Sequence, residues 1–167
     1  MNARDQTLAG VRLVAFDIDG VFTDGRFYLS NDGVESKAFH THDGFGVRQL
    51  LEAGLAVAVI SGRQSAAVDR RMTELGVQYV MQGSSDKVAA FEALVKKLGI
   101  SDAQAVYVGD DVPDLPLLRR VGFSVAVSNA HDDVKAETDY TTASAGGFGA
   151  VREVCDLILH ARRNNKG

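Results

Sequence analysis

The sequence has a single cysteine, Cys155, and no apolar run that approaches the length of a membrane span. One cysteine excludes an internal disulfide, and a membrane helix needs about 18 or more consecutive apolar residues. The N-terminal stretch MNARDQTLAG also lacks the apolar core of a secretion signal. We therefore expect a cytoplasmic protein that has no membrane partner.

The sequence also lacks any block of like charges, and its net charge is only −4. A nucleic-acid partner is therefore not expected. We find no internal repeat, low-complexity tract or interdomain linker. With 167 residues, 46% of them hydrophobic, the chain can bury a substantial core. We expect a single domain over residues 1–167.

Short apolar runs alternate with segments of helical period along most of the chain. The helical segments repeat apolar residues every three or four positions, as Val88, Phe91 and Val95 do, and glycines such as Gly76 and Gly99 mark helix ends. Strands that alternate with helices predict an α/β fold, a parallel sheet in three layers with helices on both faces. The predicted strands cover residues 11–16, 56–60, 77–81, 105–109 and 123–127.

The segment after the first strand interrupts this alternation. It reads GRFYLSNDGVESKAF, two extended runs around the turn signal NDG, which predicts a β-hairpin. No loop between the predicted elements is long enough to hold a second domain. We therefore expect a hairpin after the first strand and no cap domain.

Carboxylates and a serine directly follow the predicted strands. Asp17 and Asp19 follow the first strand, Ser61 follows the second, and Asp110 and Asp111 follow the fourth. Ligands of parallel α/β sheets bind at the carboxyl ends of the strands, where these side chains should meet. Several carboxylates at one edge repel one another unless a cation lies among them, and oxygen ligands suit Mg²⁺.

The same residues suit phosphoryl transfer. Asp17 can attack phosphorus to form an aspartyl-phosphate, while Asp19 protonates the leaving alcohol and later deprotonates a water. Lys87, which opens a predicted helix, can offset charge on the transferring group together with Mg²⁺. Ser61 can offer its hydroxyl to the phosphate oxygens. Each of these residue types is common at turns and surfaces, and only their combined order favours a catalytic site.

The segments FDIDGVFTDG, VISGR, DK and VGDDVPDL resemble the four motifs of the haloacid dehalogenase superfamily. The hairpin, KAFHTHDGFGVR and AGGFGAVREVCDLIL resemble, more narrowly, the capless tetrameric 3-deoxy-D-manno-octulosonate 8-phosphate (KDO 8-phosphate) phosphatases. This resemblance implies a Mg²⁺-dependent phosphoric monoester hydrolase of lipopolysaccharide precursor synthesis. It would release KDO and phosphate through an aspartyl-phosphate, and it would form a homotetramer.

The resemblance also implies roles for individual residues. Asp17 would be the nucleophile and a metal ligand, Asp19 the acid/base that binds metal through its carbonyl, and Asp110 the third ligand. Asp111 and Asp114 would support the metal and Lys87. The residues implied to bind the sugar acid phosphate are Asp19, His40, Thr41, His42, Asp43, Gly44, Arg48, Arg63, Arg71 and Lys87.

The residues themselves also favour an acidic substrate, since arginines can hold a carboxylate by paired hydrogen bonds. Arg63 and Arg71 are eight positions apart along a helical pattern, which predicts that they share a face. Two departures from the family pattern concern the distal end of the sugar: His40 stands in place of a common Asn, and Phe148 interrupts the glycine-rich segment near the C-terminus.

Three other functions are open to this sequence. A phosphatase for a nonulosonate 9-phosphate is the nearest enzyme, although such relatives tend to have an acidic residue where Arg63 stands. A phospho-receiver domain usually carries its acidic pair on the first strand and its phosphorylated aspartate on a later one, the reverse of the order here. A non-catalytic assembly module would not need the carboxylates that follow the predicted strands, all of which are present in this sequence.

Overall fold

The computed structural model describes residues 3–165. Six strands form a central sheet, and all their pairings are parallel. They are β1 (Leu13–Phe16), β4 (Ala56–Ile60), β5 (Tyr79–Met81), β6 (Ala105–Gly109), β7 (Phe123–Ala126) and β8 (Tyr140–Thr141). Their order in the sheet is β5-β4-β1-β6-β7-β8. Strands β1, β6 and β7 are buried along their whole length, as expected for a sheet covered on both faces.

Seven α-helices accompany the sheet in the described residues. They are α1 (Ala3–Ala9), α2 (Thr41–Glu52), α3 (Ala66–Leu75), α4 (Lys87–Leu98), α5 (Leu115–Leu118), α6 (Asp132–Glu137) and α7 (Ala150–Asn164). Helices α1, α2 and α7 pack together, as do α4, α5 and α6, and both α2 and α4 contact β4. The predicted three-layer arrangement is therefore confirmed. None of these helices is long and apolar enough to cross a membrane.

The predicted hairpin is present between β1 and α2. It consists of β2 (Tyr28–Leu29) and β3 (Glu35–Ser36), which pair antiparallel. Tyr28 and Leu29 are 66% and 65% exposed, so the hairpin stands out from the body of the chain. No cap domain is present within residues 3–165, as the short loops predict.

The observed elements differ from the prediction mainly at their ends and near the termini of the chain. Strands β1, β5 and β7 are one or two residues shorter than predicted. Helix α1 and the polar strand β8 were not predicted. Gly76 and Gly99 do end α3 and α4, each in the left-handed conformation that glycine adopts most easily.

Candidate active site

The carboxyl ends of β1, β4 and β6 bring the predicted catalytic residues to one cleft of about 310 Å³. Asp17 directly follows β1, Ser61 follows β4, Asp110 follows β6, and Lys87 is the first residue of α4. The cleft is lined by Asp17, Asp19, Gly25, Ser61, Gly62, Arg63, Lys87, Asp110, Asp111, Pro113 and Asp114.

Three carboxylates converge in this cleft. Asp17, Asp110 and Asp114 each offer an oxygen, and these oxygens lie within 4.8 Å of one another. Burial and the charge of Asp114 raise the pKa of Asp17 to about 6. Burial and the charges of Asp17 and Asp114 raise the pKa of Asp110 to about 8. The ionised set is therefore unfavourable by itself, and a cation held by oxygen ligands, such as Mg²⁺, fits it.

Lys87 neutralises one side of this cluster. Its Nζ lies 3.1 Å from Asp17 Oδ1 and 2.8 Å from Asp114 Oδ1. Burial by itself would lower the pKa of Lys87, but the two carboxylates outweigh it and raise that pKa. The lysine is therefore charged at neutral pH and holds Asp17 from the side of α4.

Asp114 is held by groups that the sequence interpretation did not include. The hydroxyl of buried Tyr107 donates to Asp114 Oδ1 at 2.7 Å. The amide groups of Asp110 and Asp111 donate to Asp114 Oδ2 at 3.1 Å and 3.3 Å. The only sequence signal for Tyr107 is a hydroxyl-bearing residue inside the apolar strand AVYVG, since a buried tyrosine hydroxyl usually needs a partner.

Gly20 allows the loop after β1 to approach Asp110 closely. Its φ is +87°, and a Cβ at this position would lie 1.9 Å from Asp110 Oδ2. A side chain here would be strained by its backbone conformation and would also displace the carboxylate. The glycine of the FDIDG segment thus leaves room for a carboxylate that follows another strand.

Ser61 also lines the cleft and is 2% exposed. Its Oγ accepts a hydrogen bond from the Arg63 amide at 3.3 Å. Ser61 and Gly62 line the same cleft as Asp17 and Lys87, where a serine hydroxyl is a suitable partner for phosphate oxygens.

Arg63 is held at the rim of the cleft by the hairpin. Its guanidinium lies 2.6 Å from Glu35 Oε2 and stacks over the ring of Phe27, with its Cζ 4.1 Å from the ring centroid. Its Nε lies 3.9 Å from Asp19 Oδ2. Lys37, which the sequence interpretation also missed, forms a short ion pair with Asp19 Oδ1.

The expectation that Arg63 and Arg71 share a helix face is wrong. Helix α3 begins at Ala66, so Arg63 belongs to the preceding loop, where the chain bends away from β4. Arg71 lies on α3, bonds Glu74 at 2.8 Å and lines a second cavity of about 520 Å³. The sequence suggested one helical pattern because the residues between them are compatible with a helix.

The remaining predicted substrate-binding residues do not line the cleft. His40 caps the N-terminus of α2 and accepts a hydrogen bond from the amide of exposed His42, and Thr41 is exposed beside them. Gly44 is packed against Arg71. Arg48 donates to the Glu74 carbonyl at the end of α3.

Asp43 lies between α2 and α7 and is 1% exposed. It accepts a hydrogen bond from the Arg152 amide at 2.9 Å, in the first turn of α7. Burial raises its pKa, partly offset by this hydrogen bond. Within one chain, then, the structure brings together Asp17, Asp19, Ser61, Arg63, Lys87 and Asp110, while His40 to Gly44, Arg48 and Arg71 lie elsewhere.

By its sheet topology and the residues at its cleft, the chain is a haloacid dehalogenase-like hydrolase, and the model of the family so described matches residues 79–154. The 3-deoxy-D-manno-octulosonate 8-phosphate phosphatase KdsC of Escherichia coli K12 is 47% identical over 152 residues, 91% of this chain and 81% of the relative. The Yersinia pestis enzyme of the same name is 43% identical over 162 residues, 97% of this chain and 87% of the relative. The chain therefore belongs to the 3-deoxy-D-manno-octulosonate 8-phosphate phosphatase family.

Solved structures agree with this assignment. A crystal structure of the Yersinia pestis phosphatase matches with a TM-score of 0.94 and 43% identity, covering 98% of this chain and 88% of that one. The Moraxella catarrhalis phosphatase, crystallised with magnesium ion, phosphate ion and KDO, matches with a TM-score of 0.95 and 44% identity. It covers 99% of this chain and 95% of that one.

Proposed function

We propose that this protein is a Mg²⁺-dependent phosphatase that hydrolyses KDO 8-phosphate to KDO and phosphate. The observation that carries the proposal is the cleft in which three carboxylates, one partly buried lysine and one buried serine converge at the carboxyl ends of the strands. The family provides the substrate class, and its Moraxella catarrhalis member binds magnesium ion, phosphate ion and KDO.

The carboxylate cluster fits the metal. We assign Asp17, Asp110 and the backbone carbonyl of Asp19 as its protein ligands, with Asp114 holding Lys87 and the loop after β6. The convergence of Asp17, Asp110 and Asp114 supports this assignment, as does the raised pKa of Asp17 and Asp110, which is caused by burial and by the neighbouring carboxylates. When bound, Mg²⁺ would offset the negative charge that builds up on the transferring phosphoryl group.

The residues then divide the reaction between them. A carboxylate oxygen of Asp17 attacks phosphorus, and the bond from phosphorus to the sugar oxygen breaks. Asp19 donates a proton to that leaving oxygen and later takes one from the water that attacks the aspartyl-phosphate. Lys87 holds Asp17 in place, and Ser61 contacts the phosphate oxygens throughout.

Among the residues that line the cleft, Arg63 best suits the sugar carboxylate, because it is a cation beside Asp19. In the single chain it contacts Glu35, which an acidic substrate would have to replace or join. His40 to Gly44, Arg48 and Arg71 keep their proposed roles in substrate binding only if another part of the assembly brings them to a cleft.

We also propose a cytoplasmic homotetramer in which the hairpin lies at a subunit interface, with residues 1–167 forming one domain. The hairpin exposes four large apolar side chains, and such a group favours a protein–protein contact at the hairpin. These are Phe27, Tyr28, Leu29 and Val34, between 41% and 66% exposed. Sedimentation at micromolar concentration should give about four times the 17.8 kDa chain mass, and a monomer would contradict the proposal.

Substrate choice is tested by comparing kcat/KM for KDO 8-phosphate, a nonulosonate 9-phosphate and mannose 6-phosphate, with and without Mg²⁺. We expect KDO 8-phosphate to be preferred, and Arg63→Ala to slow it about tenfold to a hundredfold more than mannose 6-phosphate, which has no carboxylate. A preference for the nine-carbon substrate would make the protein a nonulosonate phosphatase. Absence of Mg²⁺-dependent release from all three would favour the assembly module.

A further inference from the structure

Lys37 lies buried where the hairpin joins the body of the chain, one residue after β3. Its side chain is only 1% exposed. Its Nζ donates to Asp19 Oδ1 in a short ion pair and lies 3.5 Å from Glu35 Oε1. A buried cation is costly unless it is paired, and an apolar side chain would anchor the hairpin without that cost. The choice of lysine here therefore needs a reason beyond packing.

Lys37 and the catalytic cleft lie on different sides of Asp19. Asp19 lines the 310 Å³ cleft, whereas Lys37 lines the neighbouring 520 Å³ cavity. Lys37 binds Oδ1 of Asp19, and the other oxygen, Oδ2, lies toward Arg63, which also lines the cleft. Lys37 thus binds Oδ1 of Asp19 on the side away from the cleft. The other oxygen, Oδ2, remains available to a group bound in the cleft.

We propose that Lys37 is a positioning residue for phosphoryl transfer: it fixes the carboxyl group of Asp19 so that Oδ2 faces the leaving oxygen of the substrate. The inference rests on the acid/base role proposed above for Asp19. Proton transfer requires the carboxyl oxygen to come within hydrogen-bond reach of the leaving oxygen. Asp19 follows a strand end, and its side chain is 20% exposed, so Lys37 removes rotamers that would turn it away.

The competing explanation is that Lys37 only attaches the hairpin. The two explanations predict different losses of kcat/KM when Lys37 is replaced. If Lys37 positions Asp19, the loss depends on the leaving group of the substrate, and if Lys37 only attaches the hairpin, it does not. An alkoxide leaving group needs a proton from Asp19, whereas p-nitrophenolate is stable enough to leave without one. Because kcat/KM includes only the steps up to the first irreversible release, it isolates this first proton transfer from the later attack of water.

The test compares Lys37→Met, Lys37→Arg and a control, Lys96→Met on the exposed side of α4. We expect Lys37→Met to lower kcat/KM for KDO 8-phosphate by about tenfold to a hundredfold, and that for p-nitrophenyl phosphate by less than about threefold. Lys37→Arg should recover most of the loss, and Lys96→Met should match the wild type. If Lys37→Met does not fold, Lys37→Gln is judged by the same ratio.

A double-mutant cycle shows whether Lys37 acts through Asp19. In an Asp19→Asn background, Lys37→Met should lower kcat/KM almost no further, because the carboxyl group that Lys37 positions is already absent. Equal losses for both substrates, or additive losses in the cycle, would overturn the proposal and leave Lys37 as a hairpin anchor. If Asp19→Asn itself slows both substrates equally, the acid role of Asp19 fails, and this inference fails with it.

Discussion

Replacing Asp110 by asparagine should stabilise the metal-free protein at pH 8, although it should abolish Mg²⁺-dependent turnover. In the folded chain, burial and the carboxylates of Asp17 and Asp114 raise the pKa of Asp110 from 3.8 to about 8. The folded state therefore binds more protons than the unfolded state between about pH 4 and pH 8. Stability must fall as the pH rises through this window, and an amide removes that loss.

The size of the stabilisation by Asp110→Asn follows from the pKa shift of Asp110. One pKa unit corresponds to about 1.4 kcal/mol, so the shift of the Asp110 pKa from 3.8 to about 8 sets an upper bound of about 6 kcal/mol. Hydration and rearrangement around the charged carboxyl will reduce this, and we expect a gain of about 2 kcal/mol. For a chain of this size that is a rise in Tm of roughly 4–8 °C.

The assay is thermal unfolding in EDTA from pH 5 to pH 8.5, with Glu52→Gln as the control that removes an exposed carboxylate at the end of α2. The stability of the wild type should fall with pH more steeply than that of Asp110→Asn, and the control should follow the wild type. Mg²⁺ should then stabilise the wild type far more than Asp110→Asn. A lower Tm for Asp110→Asn at pH 8 in EDTA would refute the electrostatic account.

Two further predictions concern the groups around the same cluster. Lys87→Met leaves buried Asp114 and Asp17 without their cation, so it should destabilise the protein by about 3 kcal/mol in urea unfolding at neutral pH. Unchanged stability would mean that the ion pairs contribute little. Gly20→Ala should weaken Mg²⁺ activation about tenfold, because its Cβ would collide with Asp110 Oδ2. A Mg²⁺ titration that matches the wild type would contradict this role for Gly20.

The position of the cleft could be predicted because local patterns determine it. Asp17, Ser61 and Asp110 each follow an apolar run, and parallel strands bring their carboxyl ends to one edge. The position of Lys87 at the start of α4 could be predicted as well, because Asp86, directly before it, is a residue type that caps helices and does cap α4. These features depend on short stretches of chain whose strand and helix patterns are clear.

The contacts made by the hairpin could not be predicted in the same way. Lys37 and Glu35 are ordinary charged residues in sequence, and only the fold of the hairpin against the β1 loop brings them to Asp19 and Arg63. Tyr107 looked like one more strand residue, because the partner of its hydroxyl, Asp114, lies beyond the end of the strand. Such pairings depend on tertiary packing, which a periodic pattern does not encode.

The proposed role of Asp17 is to carry the phosphoryl group during turnover. Its most direct test is a single turnover with ³²P-labelled KDO 8-phosphate and Mg²⁺, quenched in acid and followed by borohydride reduction, which converts a phosphorylated aspartate to homoserine. We predict transient protein-bound label in the wild type, homoserine at position 17 by mass spectrometry, and neither signal in Asp17→Asn. Label at another residue, or near-normal turnover by Asp17→Asn, would show that Asp17 is not the nucleophile.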